Sequence, residues 1–560
     1  MREIDRLTTE RYGIPSSELM ENAATSTARL IIDSYSGDML GKTVLTVCGK
    51  GNNGGDGAAV SRLLATAGAL VDVVLLGKVD ETKGDARLNF DRLRAWKAKS
   101  TLQEEKEPAN ASMGGINLFE CSSESGWKQL LETILSVPCD VVVDALFGTG
   151  LTRPVEGLHR DVIKYLAGLR EARNVPPHQS PQIISIDIPS GLNAECEQLI
   201  GETVRADATV TMTAPKRANV VPPAANYNGK LIVAGIGSPD ELISEAKSEL
   251  FVTETGDARQ WLIKTRYVAE SYKNLHGHAL IIAGSRGFTG AAALCGDAAM
   301  RAGAGLVTIA TPASAQPLVA AQVMSEIMTT SLVETDRGAV SDEAIDYALK
   351  FANRANVIAI GPGLSSEDDR TRIFVRRLVE KRKAPVVIDA DGLNCLSPWP
   401  NDLQGSSEYP IVLTPHLGEM KRLLGAHDGS PINDRVATAR EFATTNGVIL
   451  VLKGSRSLIA LPDGRVVVNP TGNAGLGTAG AGDTLTGVIA GFLAQAYGTL
   501  KQDADAFHTV VAALYVSGLA GDLAAGKLGM RAMVASDIRE HLSPAIRSLD
   551  PIGESPTGVK

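Results

Sequence analysis

From Thr43 the chain repeats one pattern: an apolar run (Thr43–Cys48), a glycine-rich segment, a helical span (Ala58–Ala67) and a second apolar run (Val71–Leu76). Further runs at Asp140–Ala145, Ile183–Ile188 and Lys230–Ala234 continue the series. Short apolar runs alternating with helical spans predict a parallel sheet covered by helices. The polar stretch from Lys97 to Cys121, with Glu104–Glu107 and Gly114-Gly115, reads as an exposed excursion between elements and is given no chemistry. A charged segment, Ser238 to Arg266, precedes a second series of runs at His278–Ala283, Leu306–Ala310, Val357–Ile360, Val386–Ile388, Ile411–Leu413 and Val448–Leu452. The expectation is two α/β domains, residues 1–240 and 250–550, meeting near Leu250. The small polar residues Gly553 to Lys560 read as a disordered tail.

Composition agrees with this pattern. At 560 residues the chain exceeds one hydrophobic core, and 56 glycines with 4% aromatic residues favour strand-to-helix turns over a β-sandwich. A net charge of −9 argues against nucleic acid as a partner and favours a small molecule. Six cysteines without a CxxC pair fit a reducing cytoplasm. The N-terminus lacks the apolar stretch of a signal peptide, and glycines cut the apolar stretches, such as Leu485 to Ala496, short of a membrane span. A soluble, cytoplasmic protein is expected.

Gly49, Gly51 and Gly54 satisfy G-x-G-x-x-G, the mark of a dinucleotide fold. That fold needs an acidic residue at the end of the second strand, but Val71–Leu76 ends in Gly77-Lys78 and Asp72 stands at its start. A dehydrogenase is therefore disfavoured. Asn52, Asn53 and Asp56 supply oxygens able to orient a polar ligand or a hard cation, beside backbone N–H groups suited to an anion. Two further strand ends are polar, Asp144–Gly150 and Asp187–Gly191. Strand ends of a parallel sheet line one crevice, so Asn53, Asp144, Asp187 and Ser190 are expected to converge. The plain alternatives are a ligand-free tight turn and Asp residues serving as helix caps.

These residues resemble the YjeF N-terminal family of NAD(P)H-hydrate epimerases, through Met20–Ala23, Gly51–Gly57, Asp144–Gly150 and Asp187–Leu192. The resemblance implies a Rossmann-like three-layer αβα domain in which Asn53, Asp144 and Ser190 hold K⁺. It implies that Asn52, Asn53, Gly54, Gly55 and Asp56, with Gly148, Thr149, Gly150, Leu151, Thr152, Arg153 and Pro154, bind the hydrated dinucleotide. Asp187 is then substrate-binding and catalytic, since inverting the hydroxyl-bearing carbon requires a proton to be moved and returned. Asn193 departs from the family's usual Asp.

In the second half, Gly475, Gly477, Gly480 and Gly482 lead into an apolar helix with Asp483 at its start. Such a loop closes its backbone around phosphate, and no Gly-Lys-Ser/Thr makes it a Walker loop. It is similar to the anion hole of ribokinase-like kinases. The whole half resembles the YjeF C-terminal family of ADP- or ATP-dependent NAD(P)H-hydrate dehydratases, through Gly284–Ala291, Arg301–Gly305, Gly361–Leu364, Asp389–Asn394, Thr414–His416, Leu452–Gly454 and the Asp483 loop. Departures are Leu417, Ser457 and Ser365.

By that resemblance this domain is a ribokinase-like αβα domain in which Ala291, Gly363, His416 and Asp483 contact the hydrate. Lys453, Gly454, Ser455, Arg456, Ser457 and Gly482 contact the nucleotide, and Asp483 is catalytic. His276 and His278 stay unassigned. The implied function is repair of hydrated NADH and NADPH (NADHX and NADPHX). One domain would epimerise the (R) and (S) forms, and the other would dehydrate the (S) form with ADP, or ATP, as phosphoryl donor, giving NAD(P)H, AMP and phosphate. Mg²⁺ is expected with the nucleotide although no ligand set is readable, and the family resemblance implies a homo-oligomer. Two alternatives stand beside this: a vitamin-precursor kinase similar to hydroxyethylthiazole kinases, and a regulatory nucleotide-binding scaffold.

Overall fold

The computed structural model describes residues 1–106, 114–171, 180–426 and 431–550. The expected tail Gly553–Lys560 and part of the expected polar excursion lie outside these. The chain forms two compact units, Met1–Ser248 and Glu249–Lys560.

The first unit is built on seven strands: β1 (Thr43–Cys48), β2 (Leu70–Leu76), β3 (Gly115–Cys121), β4 (Val141–Ala145), β5 (Gln182–Ile186), β6 (Ala208–Met212) and β7 (Lys230–Ala234). They pair in parallel in the order β3-β2-β1-β4-β5-β6-β7. Alternate residues face opposite layers. Val44, Val71, Val73 and Val143 pack with the helices Ser16–Ser34 and Asn52–Thr66, whereas Leu45, Val47, Val74 and Val142 pack with Trp127, Val162 and Leu166. This is the expected three-layer αβα arrangement, and its strand order reverses between β1 and β4, where such sheets open a crevice.

Two expectations need correction. Of the segment Lys97–Cys121, the residues Lys97–Lys106 and Gly115–Cys121 are not an excursion between elements: they belong to a helix, Gly84–Lys106, and to β3, an edge strand paired with β2. The glycine-rich segment does not precede its helix, because the helix begins at Asn52 rather than at Ala58. Gly54, Gly55 and Gly57 make this possible. A Cβ on Gly54 would lie 1.8 Å from Gly49 O, one on Gly55 2.7 Å from Ala86 Cα, and one on Gly57 2.5 Å from Ala145 Cβ.

The second unit carries β8 (Leu250–Val252), β9 (His278–Ile282), β10 (Leu306–Pro312), β11 (Met328–Leu332), β12 (Val357–Ile360), β13 (Val386–Ile388), β14 (Ile411–Leu413), β15 (Ile449–Leu452), β16 (Leu458–Ala460) and β17 (Val466–Val468). Their order is β11-β10-β9-β12-β13-β14-β15-β16-β17-β8, parallel from β11 to β15, with β16 antiparallel to both its neighbours. One face packs Ile281, Ile309, Ala359 and Val387 against the helices Thr289–Arg301, Ala481–Thr499 and Ala506–Leu528. On the other face Leu280, Ile282, Ile358 and Ile360 are equally buried. Among the described residues Ala506–Leu528 is the one helix long and apolar enough to cross a membrane, a length the sequence reading overlooked; it lies within this unit's core.

Candidate active sites

In the first unit the crevice at the β1/β4 reversal opens as a cavity of ≈ 680 Å³. Asn52, Asn53, Asp56, Gly148, Thr149, Gly150, Leu151 and Asp187 line it together with Lys50, Asp5, Asp85, His159 and Lys216. Gly54 and Gly55 stand behind this wall as packing contacts, and Thr152, Arg153 and Pro154 lie outside the lining.

Asp144, near the end of β4, is fully buried. Its carboxylate accepts from Ser185 Oγ (2.8 Å), Ser190 N (2.8 Å) and Ser190 Oγ (2.5 Å). Burial pushes its pKa up and these hydrogen bonds oppose the rise. Asn53 is buried with Nδ2 unpartnered and packs at Gly148, where an added Cβ would lie 3.3 Å from Asn53 Oδ1. Amide, hydroxyl and carboxylate oxygens around a buried negative charge suit a hard monovalent cation.

Asp187 follows β5 at φ +68°, a conformation rare for a side-chain-bearing residue and concentrated at functional sites. Its backbone N–H donates to Val210 O at 2.7 Å. Its carboxylate is ion-paired with Lys216 and accepts from Thr211 Oγ1 at 3.2 Å. Lys216 is buried and also donates to Thr211 Oγ1 (2.9 Å) and Met212 O (3.0 Å). Sequence reasoning missed this lysine; the only local signal was its placement three residues before Asn219, whose Oδ1 accepts from Lys216 N at 2.7 Å. Burial, and then the charges of Asp187, Asp5 and Asp85, push Asp56 well above the ordinary carboxylate range. Burial, then Lys50, lowers the pKa of His159.

In the second unit the glycine loop is anchored by Asn473, whose Oδ1 accepts from Gly475 N and whose Nδ2 donates to Asp522 Oδ1, both at 2.9 Å. Gly480 caps the helix Ala481–Thr499 at φ +82°, placing Gly482 and Asp483 in its first turn. Asp389, directly after β13, accepts from Lys453 Nζ at 2.6 Å and from Thr486 Oγ1 at 2.7 Å. Lys453 Nζ reaches the loop itself, since a Cβ on Gly482 would lie 3.3 Å from it. Asp483 is pushed up to about 6 by burial and by Asp389, with Lys453 opposing.

The structure therefore brings Lys453, Gly482 and Asp483 together as expected. Ala291 and Gly363 also meet: a Cβ on Gly363, at φ +60°, would stand 2.9 Å from Ala291 Cβ. His416 caps the helix Leu417–Leu423, its Nδ1 accepting from Gly418 N (2.9 Å) and Glu419 N (3.3 Å). Around the loop following β15, Arg456 stands at φ +50° and Ser457 Oγ donates to Gly454 O at 3.2 Å. Arg435, also missed from sequence, donates to Ser455 O at 3.3 Å from beneath this loop. Among the described residues no group of three His, Cys, Asp or Glu side chains could hold a metal ion.

Comparison with known proteins divides the chain similarly. A family model described as NAD(P)H-hydrate dehydratase matches residues 279–544, and one described as YjeF-related protein N-terminus matches residues 16–218. The bifunctional NAD(P)H-hydrate repair enzyme of Moorella thermoacetica is 40% identical over 552 residues, 98% of this chain and 96% of that protein. The enzymes of the same name from Thermofilum pendens and Salinibacter ruber are 35% and 36% identical, covering 98% and 97% of this chain and 95% and 94% of theirs. An ADP/ATP-dependent NAD(P)H-hydrate dehydratase from Bacillus subtilis, co-crystallised with ATP/Mg²⁺, is 29% identical over 53% of this chain and 98% of its own, with a TM-score of 0.44.

Proposed function

Because the chain belongs to the family of bifunctional NAD(P)H-hydrate repair enzymes, we propose that its two chemistries divide between its units, epimerisation within residues 1–240 and nucleotide-dependent dehydration within residues 250–550. The observation that carries this division is that each unit sets one carboxylate, Asp187 or Asp483, beside a lysine, the buried Lys216 or the partly buried Lys453.

In the hydrate the hydroxyl sits on a carbon bonded to the ring nitrogen. Its C–O bond opens when a proton reaches the departing oxygen, and re-forms when water is deprotonated on the opposite face. Asp187 moves that proton, and Lys216 holds its carboxylate in place. The N-terminal turn of the helix Asn52–Thr66 and the Gly148–Leu151 segment hold the dinucleotide, their N–H groups meeting its phosphates. Asn53, Asp144 and Ser190 would hold K⁺, which would supply a fixed positive charge against the buried Asp144.

In the second unit Asp483 takes the hydroxyl proton while the hydroxyl oxygen attacks the terminal phosphoryl group of ADP, releasing AMP. Phosphate is a better leaving group than hydroxide. The ring nitrogen expels it, and loss of a proton from the neighbouring carbon restores the double bond. Lys453 and the loop around Gly482 meet the charge developing on the phosphoryl group. Lys453, Gly454, Ser455, Arg456 and Ser457 hold the nucleotide, and Ala291, Gly363 and His416 line the hydrate. Mg²⁺ would accompany the nucleotide and would neutralise charge on its phosphates.

The kinase reading gives the first unit no purpose, while the relatives match both units. All six cysteines are free, in keeping with a reducing cytoplasm. Incubating the protein with mixed epimers of hydrated NADH, with ADP, with ATP and without nucleotide, tests the proposal. Nucleotide-dependent recovery of reduced-nicotinamide absorbance supports it, with ADP as the faster donor; no recovery with either nucleotide overturns it.

A further inference from the structure

Asp389 is 1% exposed and has no part in the chemistry described so far. Both of its oxygens are committed, Oδ1 to Lys453 Nζ at 2.6 Å and Oδ2 to Thr486 Oγ1 at 2.7 Å. Thr486 lies one turn beyond Gly482 on the same helix, so Asp389 ties the end of β13 to that helix and to the lysine after β15. A Cβ on Gly482 would lie 3.3 Å from Lys453 Nζ and 3.7 Å from Asp389 Oδ2, which places the pair flush against the loop backbone.

We propose that Asp389 is a positioning residue for nucleotide-dependent dehydration, fixing the Lys453 ammonium, still charged, against the Gly482 loop where negative charge builds on the transferred phosphoryl group. This rests on reading the Asp483 loop as the phosphoryl-transfer site. In the step itself the hydroxyl proton passes to Asp483, the new O–P bond forms and the P–O bond to AMP breaks. Lys453 stays protonated throughout and only meets the charge.

The groups facing Lys453 are Asp389, Glu419 and Asp483, with Glu419 Oε2 at 3.9 Å. Burial works against the ammonium, and Asp389 first, then Glu419, outweigh it, so the lysine stays above its ordinary range. Facing Asp483 are Asp389, Lys453, Asp391 and Glu419; after burial, Asp389 is the strongest influence raising it. Removing the Asp389 charge therefore leaves two signatures in the same direction. Lys453 loses its proton more easily, and Asp483 loses its proton at lower pH.

The test compares D389N and D389E in the full-length protein, following ADP-dependent NADH recovery from the (S) hydrate across pH, with epimerisation of the same sample as internal control. For D389N kcat should fall roughly 10²-fold. Its acid limb should move below the parent's, and an alkaline limb should appear where the parent is flat. D389E, which keeps the charge but misplaces it, should lose rate while keeping the parent's limbs. A D389N profile that superimposes on the parent's after scaling overturns the proposal, because a merely structural residue lowers rate without moving either limb.

Should D389N fail to fold, seen as loss of the second unit's melting transition, T486V removes one hydrogen bond and no charge. A roughly 10-fold loss of kcat is then expected, and an unchanged kcat overturns the proposal. D483N separates the underlying reading: if it retains dehydration, the loop is not the transfer site, whatever D389N shows.

Discussion

Lys216 is ion-paired with the carboxylate of Asp187 at a point where the Asp187 backbone stands at φ +68°, and the side chains are 7% and 16% exposed. The lysine's other hydrogen bonds, to Thr211 Oγ1 and Met212 O, belong to the end of β6, so its position is set by the sheet rather than by the cavity. K216M removes one partner of a buried pair. The first unit should lose roughly 3 kcal/mol in thermal or urea unfolding, and epimerase kcat should fall about 10²-fold. Dehydration of pure (S) hydrate should be unchanged. Retention of full epimerase activity in folded K216M would remove Lys216 from the site.

The buried Asp144 carboxylate lies among the hydroxyls of Ser185 and Ser190. Epimerisation, followed by chromatographic separation of the two hydrates, should run faster in K⁺ than in tetramethylammonium at equal ionic strength. D144N should abolish that difference. Equal rates of the parent in both salts would argue that no cation binds there.

Asp483 is raised to about 6 and is needed ionised to accept a proton. The kcat/KM for dehydration should therefore be flat above about pH 6 and fall about tenfold per unit below it. The stability sign follows the same shift. A carboxyl with a raised folded pKa favours folding when protonated, and that contribution is lost as pH rises through about 6. D483N should thus melt a few degrees higher than the parent at pH 8 and no higher at pH 4, while being inactive in dehydration.

G54A sets a Cβ 1.8 Å from the carbonyl oxygen of Gly49, a backbone atom that cannot swing away. It should destabilise the first unit by about 1–3 kcal/mol and abolish epimerisation. At Gly51, where φ is −91° and nothing lies within 4 Å of the added Cβ, alanine should cost less than about 1 kcal/mol. Melting of the two variants checks the contrast.

The positions of Asp144, Asp187 and Ser190 were legible because strand ends of one parallel sheet share an edge, so polar residues there converge before any contact is known. The helical start at Asn52 was not. Three glycines within six residues carry poor helix propensity, and what overrides it is the close approach of Gly49, Ala86 and Ala145, which no local pattern reveals. The strand β3 was hidden for a related reason: it lies at the sheet edge, and only Ile116 and Cys121 among its apolar residues are fully buried. Lys216 and Arg435 reach their sites from elements distant in sequence, and a lone basic residue gives no signal of that kind. Asp389 stood within a recognised motif, but its hold on Lys453 depends on β13 and β15 being two strands apart in the sheet.

The most direct test of two separable sites is complementation between D187N and D483N on mixed epimers of hydrated NADH with ADP. D187N alone should convert the (S) form and stall near the (R) fraction, D483N alone should restore no NADH, and a mixture of the two should recover the whole sample. A mixture that stalls where D187N stalls would contradict the assignment of epimerisation to Asp187 and dehydration to Asp483.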